Sequence, residues 1–261
     1  MGRTVGRRPV SNPFNSDPVA RRYADGRPFY HRSALGLAAR QLGIGHARLA
    51  IDVACGTGLS TQALLELAEH VIAIDASVVM LRAARPQPRA RYLVAAAERI
   101  PLGDAAADLA TVGAAFHWFH QPRAFAELAR VLRSGAGLAV YSDFFSGQVA
   151  GQPALASWLK DSYLARYPTP PRHAYFDDAA ALPAGFSDVS YAEDDIHIPL
   201  TRAQLADYLL SQSNAAAAIE AGTISADALR SQILDETAAF FPGQGCADAV
   251  FGIRVWTTVR A

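Results

Sequence analysis

A chain of 261 residues, 51% of them hydrophobic, is long enough to bury a full core, and its 24 basic and 24 acidic residues cancel. No general electrostatic field therefore favours nucleic acid or an anionic membrane as partner. No apolar run approaches membrane-spanning length, and Arg3, Arg7 and Arg8 precede no apolar signal core, so a cytoplasmic protein is expected. Cys55 and Cys246 are the only cysteines, which argues against a disulfide framework or a metal cluster, and no metal site is expected.

In chain order, the first marked segment is Tyr23-Ala24-Asp25-Gly26-Arg27-Pro28-Phe29-Tyr30, with a phenol and a cation in an amino-terminal helix. Ile51 to Ala54 reads as a buried strand that runs into Cys55-Gly56-Thr57-Gly58. Glycines on either side of one small residue let the backbone turn sharply and leave its N–H groups open to a ligand. Leu59 to His70, with Leu59, Ala63, Leu64, Leu67 and Ala68 on one face, predicts a helix. Val71 to Asp75 reads as a second strand, and Asp75 falls roughly 20 residues after the glycines, where a carboxylate can accept both hydroxyls of a ribose. Thr61 stands where a dinucleotide fingerprint wants its third glycine, and the Gly-Lys-Ser/Thr of a P-loop is absent.

Ser77 can cap a short helix through Met80 and Leu81. Arg91 to Ala95 reads as a third strand, and Asp108 to Val112 as a fourth that leads into Phe116-His117-Trp118-Phe119. A helix over Phe125 to Arg133 and a turn at Ser134 to Gly137 precede a fifth strand, Leu138 to Ser142. Alternating strands and helices imply a parallel sheet with right-handed crossovers, whose ligands sit beyond the carboxyl ends of the strands. The second half differs: strands at Val189 to Pro199 and Val250 to Val259, helical segments around Leu205 to Ser211 and Ala226 to Phe241, and an insertion from about Ser146 to Phe186 that carries an aromatic, proline-rich run from Tyr163 to Phe176.

Asp52 with Ala54-Cys55-Gly56-Thr57-Gly58 resembles motif I of the class I S-adenosylmethionine-dependent methyltransferases. Ala96-Ala97-Glu98-Arg99-Ile100-Pro101-Leu102 is similar to that family's adenine-flanking segment, with Ala96 where many members carry an acid. Phe125 to Gly137 resembles its helix and turn before strand five, with Ser134 and Ala136 in place of a proline and a glycine. The Tyr23 to Tyr30 segment resembles the Tyr-Ala-x-x-Arg-Pro-x-Tyr of a subgroup that includes trans-aconitate methyltransferase-like enzymes. These segments, in this order, cover about residues 20 to 145.

The resemblance implies one doubly wound α/β domain over residues 1–261, with a mostly parallel, seven-stranded Rossmann-like sheet and an antiparallel last strand. Residues 146–186 and 200–247 would then be helical insertions that cap a substrate site. S-adenosyl-L-methionine would be the cofactor, held by Tyr23, Arg27, Asp52, Ala54, Cys55, Gly56, Thr57, Gly58, Asp75, Ala76, Met80, Ala97, Glu98, Ala114 and Phe116. The acceptor would be a small molecule, a small acid or secondary metabolite by the subgroup likeness, contacted by Trp118, Tyr167 and Tyr175.

An activated methyl on a sulfonium needs chiefly an acceptor aligned behind it, so neither nucleophilic triad nor metal is required. His117, at the end of strand four, is the candidate base for an acceptor that must lose a proton, because an unperturbed imidazole titrates at about 6.5. Cys55 reads as a small residue packed beside the ligand, since nothing near it in sequence activates a thiol. The alternatives are an enzyme that keeps the cofactor for a cyclisation or rearrangement, and a non-catalytic protein that senses it. A nucleic-acid methyltransferase is disfavoured by the absence of an Asn/Asp-Pro-Pro-Tyr/Phe motif and of a Pro-Cys pair.

Overall fold

Ala47–Val53 (β1), Ala68–Asp75 (β2), Ala90–Val94 (β3), Ala107–Gly113 (β4), Leu132–Val149 (β5), Phe186–Leu200 (β6) and Ala247–Arg260 (β7) form one seven-stranded sheet of order β3-β2-β1-β4-β5-β7-β6. The computed structural model describes residues 16–241 and 245–261, so Arg3, Arg7, Arg8 and residues 242–244 of the second expected insertion lie outside it. Strands β1 to β5 run parallel and β7 lies antiparallel between β5 and β6, as the resemblance implies. The central strands are apolar on both faces because helices cover both.

On one face Ile51, Val53, Ile74, Val112 and Val140 pack with Phe125 and Leu128 of the helix Gln121–Val131. On the other, Ala50, Val71, Leu109 and Tyr141 pack with Leu35 and Ala38 of the helix His31–Leu42 and with Leu64. In chain order the helices are Asp17–Gly26 (α1), His31–Leu42 (α2), Leu59–Leu64 (α3), Val78–Arg82 (α4) and Gln121–Val131 (α5). Among the described residues no helix is long and apolar enough to cross a membrane.

Several boundaries differ from expectation. The helix predicted to reach His70 ends at Leu64, because Ala68 already pairs with Ala47 in the sheet and Leu67 gives its carbonyl to the Ala47 N–H at 2.8 Å. Leu67 and Ala68 are apolar on account of strand burial, which a helical face mimics over so short a window. Strand five, expected to stop at Ser142, continues to Val149, since β7 accompanies it as far as Val149 opposite Ala249. The expected turn at Ser134 to Gly137 is an irregularity at the start of that strand: its register against β4 shifts between Ala107 and Leu109, and Gly135 takes φ +77°.

The first insertion thus begins after Val149 and divides in two. Its helical run Ala154–Ser157 (α6), Trp158–Tyr163 and Leu164–Arg166 (α7) joins a third apolar cluster. That cluster also takes in Arg202–Leu210 (α9), Ser213–Glu220 (α10) and Ala226–Glu236 (α11), through Leu155, Leu159, Leu205, Leu209, Leu229 and Ile233. Phe176 and the short helix Asp178–Ala181 (α8) turn back onto the main core beside Phe125. α1 docks on α9, where Gly26 is needed: a Cβ there would stand 2.3 Å from the Asp207 carbonyl oxygen.

Candidate cofactor cleft

The carboxyl ends of β1, β2 and β4 open on a cleft of about 260 Å³, reached from the other side by Tyr23 of α1 and His31 of α2. Its floor is the turn after β1. Ala54, Gly56 and Gly58 all take positive φ, at 58°, 55° and 84°, so the chain reverses tightly and Gly58 leads directly into α3. A Cβ on Gly56 would approach the Met80 methyl to 3.1 Å, and one on Gly58 the Tyr92 hydroxyl to 2.9 Å. Beneath the turn Asp52, fully buried, accepts hydrogen bonds from the Ser60 and Thr61 hydroxyls, each at 2.6 Å. Burial lifts its carboxyl to about 6, against the pull of those hydroxyls. Asp52 therefore braces the loop against α3 and does not line the cleft.

Asp75, at the end of β2, lines it. Its Oδ2 accepts from the Gly56 N–H at 2.8 Å and its Oδ1 from the Ser77 N–H at 2.7 Å, which fixes the carboxylate plane and leaves further lone pairs free. Burial raises its pKa, and the two N–H groups oppose that shift. Next to it lie Ala76 and Met80. Ala95, Ala96, Ala97 and Glu98 form an adjacent wall, where the Glu98 Oε1 accepts from the His120 N–H at 3.0 Å. Burial pushes the Cys55 thiol well up, in keeping with a packed residue.

Of the other expected site residues, Tyr23, Ala54, Thr57 and Trp118 also line the cleft, whereas several expected contacts lie behind it. Arg27 is engaged elsewhere: its Nη1 meets Asp143 of β5 at 3.2 Å, and its guanidinium stacks over Tyr23 and Tyr208. Phe116 is fully buried among Phe119, Phe125 and Phe176, and Ala114, at φ 51°, is spent on turning the chain out of β4. Tyr167 is packed in the third cluster with its hydroxyl donating to Gln232, so it ties the two insertions together. Tyr175 stacks on Trp256 and sets the edge of its ring against His117.

His117 itself is 3% exposed and stands outside the cleft lining, behind Trp118. Burial, with the charge of Arg172, lowers its pKa to about 3, which overturns the expectation of an imidazole poised near neutral pH. His31 is among the lining residues that sequence reasoning missed, with Leu59, Ser60, Ala95, Gly113 and Phe119. Its Nδ1 lies 3.1 Å from the Tyr141 hydroxyl, its ring stacks on Tyr30, and burial lowers its pKa also to about 3. Its only sequence signal is that it directly follows the Tyr23 to Tyr30 segment.

Residues 51–140 match the protein family described as a methyltransferase domain. The sheet order, the glycine turn and the carboxylate after β2 lie within or beside that match. The fold is that of the class I S-adenosylmethionine-dependent methyltransferases. An uncharacterised methyltransferase of Mycobacterium tuberculosis is 41% identical over 138 residues, which cover 52% of this chain and 54% of that protein. The chain thus matches about half the length of such curated relatives. The malonyl-[acyl-carrier protein] O-methyltransferase of Serratia marcescens is 35% identical over 42% of this chain and 45% of its own. A solved type II methyltransferase structure from Anaeromyxobacter dehalogenans superposes with a TM-score of 0.68 at 28% identity, covering 85% of this chain and 94% of that one. That superposition extends the likeness of fold beyond the matched 51–140 segment to most of the chain.

Proposed function

We propose that the protein binds S-adenosylmethionine in this cleft and transfers its methyl group to a small-molecule acceptor by in-line displacement. The observation that carries the reading is Asp75: a carboxylate locked by the Gly56 and Ser77 N–H groups, facing a cleft floored by the glycine turn. The residues present suit such a cofactor. Thr57 lines the cleft with a buried hydroxyl that has no hydrogen-bond partner, and a side chain at Gly56 would crowd the Met80 methyl.

When bound, S-adenosylmethionine supplies a methyl already activated by its sulfonium. Asp75 would accept the ribose hydroxyls, Ala95 to Glu98 would flank the adenine, and Tyr23 and His31 would close the opposite side. Trp118 and Phe119 would shut water from the acceptor. Alignment of this kind contributes about 7–11 kcal/mol of barrier lowering without a base, in keeping with a His117 too weakly basic to take a proton efficiently. The balanced net charge favours a small acceptor over nucleic acid, and the Serratia relative named as an O-methyltransferase supports oxygen as the accepting atom. The two insertions, joined in one apolar cluster, serve in this reading as the acceptor-side cap. Incubation with methyl-labelled S-adenosylmethionine and a small-molecule extract of the host, followed by mass spectrometry, should yield a labelled low-mass product. Binding without label transfer would instead favour a sensor or another reaction of the same cofactor.

A further inference from the structure

Beyond Trp118 the insertions bring one cation up to the cleft wall. The Arg172 guanidinium lies over the Trp118 ring, 5.6 Å from its centroid, and Trp118 is a lining residue. Its Nη1 donates to the Tyr175 hydroxyl at 3.2 Å and its Nη2 to the Ser213 hydroxyl, while its Nε is buried without a partner. Both partners are neutral. The contrast within the molecule is Arg27, whose guanidinium is paired with Asp143. Among the described residues the ion pairs join other arginines and histidines to carboxylates, and Arg172 takes part in none. A partly buried guanidinium with no counter-ion and an unused N–H is costly unless a bound anion completes it.

Two further orphans stand around it. Both ring nitrogens of His117 are buried without hydrogen bonds, and so is the Gln121 Oε1, although the Gln121 amide nitrogen donates to the Ala174 carbonyl at 2.6 Å. The stretch 172–175 therefore arrives beside the cleft with a planar cation and unsatisfied polar groups, framed by Trp118 and Tyr175. We infer that Arg172 is the acceptor-recognition residue, and that the acceptor carries a carboxylate which pairs with it. This rests on the cleft being a methyl-transfer site, and it specifies the class of acceptor. A single guanidinium helped only by neutral hydroxyls matches one negative charge, and its fork fits the two oxygens of a carboxylate. His117, held neutral by burial, adds no second cation, which argues against a phosphate dianion.

The test is binding of matched probe pairs, phenylacetate against phenylacetamide and hexanoate against hexanamide, to the full-length protein, with and without S-adenosylhomocysteine. At least one carboxylate should bind more tightly than its amide. In Arg172→Gln that carboxylate should weaken by about ten- to a hundred-fold, the range for a charged hydrogen bond, with the amide unchanged. Arg172→Lys, which keeps the charge and loses the fork, should fall between. A merely structural Arg172 would alter both members of a pair alike, and that result, or no preference for any carboxylate, overturns the inference. Affinity for S-adenosylhomocysteine, measured separately on the same variants, checks their folding. Its absence in the parent would sink the cofactor reading while leaving the carboxylate comparison intact.

Discussion

Three buried titratable side chains give the protein opposing responses to pH. His31 and His117 have pKa values lowered to about 3, below the roughly 6.5 of an unfolded chain. Their contribution to stability is complete above pH 6.5 and is lost as the pH falls toward 3, because the unfolded state binds their protons first. Asp52, raised to about 6 from an ordinary value near 4, acts in the other direction: its contribution is present below about pH 4 and is lost as the pH rises through 6. Urea denaturation across pH 4 to 6.5 should therefore show a flatter acid loss in His117→Gln, by up to about 1.4 kcal/mol per pH unit, and a steeper one in Asp52→Asn. An unchanged profile in His117→Gln would mean that its ring takes up a proton in the fold as it does in the unfolded chain. The same variant should keep turnover within a few-fold of the parent. A fall of roughly two to four orders of magnitude would restore His117 as a general base. None of this was legible from the sequence, where His117 simply follows a strand; its burial comes from Trp118 and from Tyr175, a residue of a distant insertion.

At the scale of elements, α1 is the piece on which the cleft depends without being part of the sheet. It carries Tyr23 into the cleft and is held by the ion pair of Arg27 with Asp143 on β5, whose side chains are 9% and 2% exposed. Removing one partner strands the other charge, so Asp143→Ala should cost about 3–5 kcal/mol in chemical denaturation. A loss below about 1 kcal/mol would show that the pair is solvated. Gly26→Ala should also destabilise, by about 1–3 kcal/mol, since the new methyl would meet the Asp207 carbonyl of α9 and must push the helices apart. Neutral stability would mean that α1 is loosely docked. Sequence reasoning placed Arg27 among the residues that hold the cofactor. Its actual partner is 116 positions away, a distance over which composition and spacing carry no signal. The strands were legible because buried parallel strands leave continuous apolar runs, as in Val71 to Ile74 and Leu138 to Val140. Their ends were not, since β5 reaches Val149 only because β7 accompanies it.

For the whole molecule, the sheet places the glycine turn, Asp75 and the Ala95 to Glu98 wall around one cleft, although they lie on separate strand ends. That convergence was legible, because in a parallel sheet every strand ends on the same edge. The segments between β5 and β6 and between β6 and β7 were legible only as sequence without sheet periodicity: that they share an apolar cluster, and that 172–175 returns to Trp118, depends on packing between segments far apart in the chain. The central claim is that this cleft takes S-adenosylmethionine through Asp75, and calorimetry tests it most directly. The parent should bind S-adenosylmethionine and S-adenosylhomocysteine and not NADH. Asp75→Ala, folded as judged by its thermal transition, should lose about 1.5–3 kcal/mol of affinity for each ribose hydrogen bond removed. Unchanged affinity in that variant, or tight NADH binding by the parent, would contradict the account.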